Sequence, residues 1–342
     1  MTEVEATPSL NRVCIIGAGA IGGWIASALE SVGCDVSLVA RGATLAALRE
    51  NGLVMQRAAP DDPATVLSTH HKVRASDQPA ELGPHDLVVL AVKGPAMASV
   101  ARAIGPLLGP DTVVLSAMNG LPWWFLQGLK GPLEGRTLQS VDATGEIAAA
   151  IPLQHVIGGV VHGSCVQVAP GVIRHNFGRG LIVGEPSGVS TPRVQALFAL
   201  LQRAGFEASL SSCIQRDMWY KLWGNMTVNP LSAMTGATTN LLLNDELVRN
   251  FMSAMMLEAR DIGARFGLPI AEQPDDRHAV TRKLGAFKSS MLQDVEAGRA
   301  IELDGLVTVV RELGGLTGVA TPNIDALLGL TRVFARLRGL YP

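Results

Sequence analysis

Charge is scarce in this sequence. Lys, Arg, Asp and Glu together make up 17% of the 342 residues, and the formal net charge is -2. No block of basic residues stands out, so the concentrated positive footprint that nucleic-acid binding needs is missing. Arg332, Arg336 and Arg338 read as a solvated helix face. The four cysteines, Cys14, Cys34, Cys165 and Cys213, form no CxxC or other metal-ligand spacing. They exclude a disulfide framework and fit a reducing cytoplasm, with no metal centre expected. The first ten residues lack a basic segment and an apolar segment, so no signal peptide is expected. No apolar run reaches the length of about 20 residues that a membrane span needs. Aromatics are few, at 4%, which makes any cluster of them notable.

Glycine, by contrast, is abundant, with 37 residues, many of them between apolar segments. Residues 12–16 form a short apolar run ending at Gly17 and read as a buried parallel strand. A helical segment, 21–32, closes at Gly33, and 35–40 is the next strand. Further apolar runs at 87–92 and 112–117 continue the alternation, which predicts an open, mostly parallel sheet with helices on both faces. After about residue 155 come short β-like pieces, 156–161, 166–168, 172–175 and 181–183, broken by Gly and Pro. A helix at 192–204 and a strand at 207–210 follow. From Ser211 the pattern is helical, with segments near 214–229, 241–266, 276–297, 301–314 and 323–337 and Ser211-Ser212 as a cap. The length suits two domains. The fold class expected is an α/β Rossmann-type N-terminal domain, residues 1–212, followed by an all-α C-terminal domain, residues 213–342.

Gly17, Ala18, Gly19, Ala20, Ile21 and Gly22 match G-x-G-x-x-G in the context the motif requires, after a strand and at the opening of a helix. Gly17 makes the tight turn, Gly19 lets a pyrophosphate approach the backbone, and Gly22 lets the helix pack closely. The helix N-terminus then presents partial positive charge to the phosphates. At the end of the second strand an NAD site has Asp or Glu for the ribose hydroxyls. Here the residues are Ala40, Arg41 and Gly42, with no carboxylate to repel a 2′-phosphate and an Arg to bind it. The cofactor expected is therefore NADP(H). Lys93 and Asn119 each follow a strand, on the carboxyl edge where ligands bind in open α/β sheets.

Lys221, Asn225 and Asn229 recur every four residues, which lines them along one helix face. Trp219, Leu222 and Met226 fall on other faces, where they can pack. Asn is a poor helix former, so two in register serve something other than helix stability. One ammonium and two amides suit a small carboxylate and a carbonyl. Pro230 is expected to end or kink the helix. A second segment holds Ser289, Ser290 and, past Gly298, Glu302. On one continuous helix Ser290 and Glu302 would stand about 18 Å apart. Gly298 therefore predicts a break, with Glu302 in the first turn of a new helix.

These two segments, with Gly-Ala-Gly-Ala-Ile-Gly-Gly near the N-terminus, resemble the ketopantoate reductase (2-dehydropantoate 2-reductase) family over nearly the whole chain. The resemblance implies a catalytic Lys221 and an acidic Glu302 that contacts substrate and lies beside the cofactor. It implies substrate-binding roles for Asn225, Asn229 and Ser290. It gives Arg41, Lys93 and Asn119 to the cofactor, with Asn119 also facing the substrate. The reaction implied is hydride transfer from NADPH to the C2 carbonyl of a small 2-oxo acid, with Lys221 as general acid. A homodimer is left open, and a redox sensor that binds NADP without catalysis is a rival reading.

Two departures stand out. Where the family often has a further substrate Asn, this chain has Thr239, with Asn240 beside it. After Asn119-Gly120 come Leu121, Pro122, Trp123, Trp124 and Phe125. Pro122 suits the first turn of a helix. The aromatics then read either as core packing or as an apolar wall, with the chain acting on a bulkier or aromatic 2-oxo or 2-hydroxy acid.

Overall fold

The computed structural model describes residues 9–59, 61, 62 and 64–342. Residues 1–8, on which most of the reading of the N-terminal segment falls, lie outside the described residues. Two compact units emerge: residues 1–118 with 145–214, and residues 119–144 with 215–342. A single boundary near residue 212 thus misses an excursion. Residues 119–144 leave the sheet and pack with the helices. The fold class is the one expected, a Rossmann-type α/β unit and an all-α unit.

In the first unit the order is β1 (Arg12–Ile16), α1 (Ala20–Glu30), β2 (Asp35–Val39), α2 (Gly42–Asn51), β3 (Leu53–Ala58) and β4 (Val66–His71). Next come β5 (Arg74–Ser76), β6 (Leu87–Leu90), α3 (Met97–Ala103), β7 (Val113–Ser116) and α4 (Glu146–Ala150). The unit continues through β8 (Val156–Ala169), β9 (Val172–Gly184), α5 (Pro192–Arg203) and β10 (Glu207–Leu210). The strands lie in the order β4-β3-β9-β8-β7-β6-β1-β2-β5, with β10 beside β9. β1 lies between β2 and β6 and is parallel to both. Its two crossovers diverge to opposite sides, so the chain reverses strand order at β1, where open α/β sheets bind ligands. The continuous apolar runs of β1, β6 and β7 follow from burial on both faces.

The broken β-like pieces of residues 156–183 are two long strands. β8 and β9 form an antiparallel hairpin with register shifts between His162 and Ala169. Gly163 and Gly178 are irregular positions inside the strands rather than breaks. A side chain at Gly163 would meet the Trp24 ring at 2.7 Å, and Gly178 has φ +76. The length of β9 lets its first residues pair with β3 and its last with β10.

The second unit comprises α6 (Ile214–Thr235), α7 (Thr239–Asn244), α8 (Glu246–Phe266), α9 (Pro274–Arg282), α10 (Ser290–Glu296), α11 (Val309–Thr317) and α12 (Pro322–Arg336). Ser211 Oγ accepts the Cys213 N–H just ahead of α6. α6 runs past Pro230 to Thr235, because Asn229, Pro230 and Leu231 are all buried and packing holds the turn that lacks an N–H. The single helix expected over 276–297 is two. Gly285 at φ +63 breaks the run, and Ser289 Oγ restarts it by accepting the Leu292 N–H.

Residues 121–127 form no helix. Phe125 N–H donates to Pro122 O and Gln127 N–H to Trp124 O, giving successive turns. Trp123, Trp124 and Phe125 are 2%, 0% and 0% exposed, and Phe125 meets Phe266 edge-on at 6.2 Å. They pack as core residues, and a substrate wall made of them loses its support. Further along, Glu312 of α11 accepts hydrogen bonds from Gln139 N at 2.7 Å, Ser140 N at 2.8 Å and the Ser140 hydroxyl. Charge-assisted bonds to backbone hold the excursion on the helices. Glu312→Gln is expected to lower stability by about 1–3 kcal/mol. Urea unfolding of both proteins measures it, and an unchanged midpoint removes Glu312 from this role.

Candidate active site

The glycine turn occupies the first unit. Gly17 has φ +104, and a Cβ there would lie 2.7 Å from Ala91 O and 2.8 Å from Val92 Cγ1. A Cβ at Gly22 would lie 1.9 Å from Gly17 O, so α1 seats against the turn only because Gly22 is bare. Gly19 is different: nothing lies within 4 Å of where its Cβ would be. The open side of the turn is where another molecule can approach. No side chain caps α1 and no acidic residue stands in its first turn, so its N-terminal N–H groups keep their attraction for an anion. The cradle fits a dinucleotide pyrophosphate.

Arg41, separated from the end of β2 by Ala40, is exposed and holds the N-cap position of α2. Lys93 is half-buried ahead of the short turn Gly94–Ala96 that follows β6.

The helical unit holds the other residues. Lys221, Asn225 and Asn229 share a face of α6, while Trp219, Leu222, Trp223 and Met226 are buried and anchor it. Trp219 Nε1 lies so close to Gly263 of α8 that a Cβ there would stand 2.3 Å away, and Trp223 Nε1 donates to Met256 O at 2.6 Å. Lys221 Nζ donates to Asn119 Oδ1 at 2.9 Å, across 102 residues of sequence. Burial pushes the Lys221 ammonium down to about 8; the Glu302 carboxylate opposes this, and the Arg277 guanidinium adds to it. Lys221, Asn119 and Glu302 therefore form one electrostatic group. Asn225 is half-buried and Asn229 is buried.

Glu302 does not lie in the first turn of a helix. It stands in an irregular stretch just ahead of a π-helical turn, Asp304–Thr308, that leads into α11. Gly298, at φ +63, makes the expected break. Tyr341 donates to Asp304 Oδ1 at 2.7 Å, and Ile301 N–H donates to Leu340 O at 3.0 Å, which fixes the stretch on both sides of Glu302. Ser290 is exposed at the start of α10, whereas its neighbour Ser289 is consumed as the cap. Thr239 is committed elsewhere: its hydroxyl donates to Gly285 O at 2.6 Å and accepts from Phe287 N–H at 3.3 Å. It holds the connector between α9 and α10. Asn240 Oδ1 accepts from the Thr238 hydroxyl at 2.6 Å.

Two features of this unit were not anticipated from the sequence. Arg277 of α9 lies over the Tyr220 ring at 5.5 Å and against Gly224. Its one sequence signal is Gly224 itself, a glycine inside a 22-residue helix. Gly120 touches Gly305 of the π-helical turn, and Leu121 N–H donates to Gly305 O at 2.9 Å.

The family model "Ketopantoate reductase PanE/ApbA" matches residues 13–188, and "Ketopantoate reductase PanE/ApbA C terminal" matches residues 213–335. The chain belongs to the ketopantoate reductase family. It is an oxidoreductase acting on a C=O/CH–OH pair. A 2-dehydropantoate 2-reductase of Mesorhizobium japonicum is 43% identical over 96% of this chain and 99% of its own. A crystal structure of a candidate ketopantoate reductase from Ralstonia solanacearum MolK2 is 51% identical, with a TM-score of 0.91 over 97% of this chain and 100% of its own. A D-mandelate dehydrogenase solved with NADH and anilino(oxo)acetate has a TM-score of 0.81 at 20% identity, over 96% of this chain and 99% of its own. At that identity the likeness extends to the fold alone.

Proposed function

We propose that this chain reduces 2-dehydropantoate to pantoate with NADPH. The observation that carries the reading is the Lys221–Asn119 hydrogen bond with Glu302 acting on the same ammonium. A bound NADPH supplies the hydride. Gly17, Gly19 and Gly22 with the α1 N-terminus hold its pyrophosphate, and Arg41 takes its 2′-phosphate. Lys93 and Asn119 contribute further cofactor contacts, as the family resemblance implies. Lys221 Nζ hydrogen-bonds the C2 carbonyl oxygen and gives it a proton as charge develops there. Asn119 orients Nζ, and Glu302 keeps it protonated. Asn225, Asn229 and Ser290 orient the substrate without adding charge.

The reading includes a cytoplasmic location, supported by the four free cysteines. It extends to a homodimer through Leu330 and Val333 of α12 and Leu337 just past its end, all exposed; light scattering is expected to give the mass of two chains, and the mass of one overturns it. The alternative of a bulkier or aromatic substrate rests on the aromatic run and on Thr239; Trp123 and Trp124 are core residues, and the Thr239 hydroxyl is committed to Gly285 and Phe287.

One assay tests the function: NADPH oxidation with 2-dehydropantoate, phenylglyoxylate and 2-oxoisovalerate. The highest kcat/KM belongs to 2-dehydropantoate, and a preference for phenylglyoxylate overturns the substrate. Cofactor choice has its own test. Arg41→Ala is expected to raise the KM for NADPH about 10–100-fold, the worth of hydrogen bonds to a charged group, and to leave NADH unchanged. Equal loss for both cofactors removes Arg41 from the 2′-phosphate.

A further inference from the structure

Arg277 is a half-buried cation with no counter-ion among the described residues. Among the described residues its guanidinium forms no hydrogen bond or ion pair, and its Nε is fully buried without a partner. Burial lowers its pKa from the ordinary arginine value, which registers the cost of holding this charge away from water. Native proteins rarely bury a guanidinium nitrogen unsatisfied, so an orphan of this kind asks for a reason.

Its place supplies one. Arg277 lies over Tyr220 and Gly224, which are four residues apart on α6 and flank Lys221 and Asn225. A Cβ on Gly224 would lie 2.8 Å from both Nε and Nη2 of Arg277. Glycine costs a helix about 1 kcal/mol relative to alanine, and here its bareness admits a guanidinium onto the helix surface. The Glu302 carboxylate and the Arg277 guanidinium both act on the Lys221 ammonium. A 2-oxo acid brings one negative charge, on the carboxylate adjoining the carbonyl that Lys221 would polarise.

We propose that Arg277 is the counter-ion of the substrate's C1 carboxylate, with Gly224 as the seat that lets its guanidinium reach the Lys221 face of α6. The inference rests on the 2-oxo acid reading above and adds to it the group that recognises the acid. Arginine presents a planar fork that pairs with a carboxylate through two parallel hydrogen bonds. The uncharged Asn225, Asn229 and Ser290 then fix orientation while Arg277 selects for charge.

The test uses the full chain with NADP bound and oxamate, a redox-inert 2-oxo monocarboxylate, as the probe. Calorimetry gives the oxamate Kd for wild type, Arg277→Met, Arg277→Lys and Gly224→Ala, and the NADPH Kd is measured alongside. Loss of a buried charge-assisted pair is expected to weaken oxamate on the order of 10²-fold in Arg277→Met. Arg277→Lys keeps the charge without the fork and is expected to lose about tenfold. Gly224→Ala pushes on the flexible end of Arg277 rather than on backbone, so it folds and is also expected to lose about tenfold. NADPH affinity stays within about twofold throughout. Unchanged oxamate binding in Arg277→Lys and Gly224→Ala overturns the proposal even where Arg277→Met fails to fold. So does a parallel loss of NADPH affinity, which marks a structural role. A wild type that binds oxamate through Arg277 but oxidises NADPH with no 2-oxo acid overturns the catalytic reading and leaves the carboxylate site standing. One that binds no oxamate and turns over no 2-oxo acid overturns both.

Discussion

Lys221→Ala is expected to lower kcat for 2-dehydropantoate about 10²–10⁴-fold, the usual worth of a general acid, while NADPH affinity stays near wild type. In the proposed reaction the substrate oxygen gains negative charge as hydride arrives, and Lys221 is the acid proposed to meet it. Its hydrogen bond to Asn119 fixes Nζ from one side. Its pKa, pushed down to about 8 by burial, sits where an ammonium gives up its proton readily and is still largely protonated at neutral pH. The pH dependence has a definite sign. Reduction uses the charged form, so kcat/KM is level below about pH 8 and falls above it. Oxidation of pantoate uses the neutral amine and rises through the same range. Lys221→Arg holds its proton to about pH 12 or beyond, so whatever rate it retains lacks that limb. A Lys221→Ala enzyme with near-normal kcat at saturating substrate, or a wild-type profile level to pH 10, takes Lys221 out of the chemistry.

The glycine turn and the α6 stripe are legible in the sequence for different reasons. The glycine turn is local: a strand, a turn and a helix within about a dozen residues, each glycine with its own steric task. Gly17 and Gly22 carry theirs out as expected, and Gly19 faces open space. The α6 stripe was legible because a helix converts spacing of four into adjacency, and the tryptophans beside it are buried as that reading requires.

What stayed hidden depends on pairs distant in sequence. The pieces of β8 and β9 looked like separate short strands, since Gly163 and Gly178 read as breaks until their antiparallel partners are in place. Residues 119–144 looked like more of the α/β unit. Partners far along the chain, Phe266, Gly305 and Glu312, show why they belong with the helices. Thr239 was a candidate for substrate contact because it occupies a family position, yet its hydroxyl is spent on Gly285 and Phe287. Arg277 has no periodic relation to Lys221 at all. The helices α6 and α9 bring the two together, and nothing in the spacing of residues 221 and 277 announces it.

Gly120→Ala is expected to cost about 10²-fold in kcat, although Gly120 has no chemistry of its own. Its φ is +78, a conformation that costs a side-chain-bearing residue about 1–2 kcal/mol. A Cβ there would also stand 2.4 Å from Gly305 O and 2.7 Å from Gly305 C. Those are backbone atoms, so no rotamer change relieves the clash. Either the Asn119-Gly120 turn retreats or the π-helical turn at Asp304–Thr308 does. The first movement pulls Asn119 Oδ1 off Lys221 Nζ, a bond now at 2.9 Å. The second shifts the stretch that carries Glu302, three residues before Gly305. In both cases Lys221 loses its alignment, and a misplacement of about 1 Å near a reacting group is enough for a loss of this size. Gly135→Ala is the control. Gly135 belongs to the same excursion, has φ +74, and has nothing within 4 Å of its added Cβ. It suffers the same backbone strain without the clash. Both variants should therefore melt a few degrees below wild type, about 2–4 °C per kcal/mol in a chain of this size, while only Gly120→Ala loses turnover. If the two lose kcat equally, or neither does, the contact between Gly120 and Gly305 does not position Lys221.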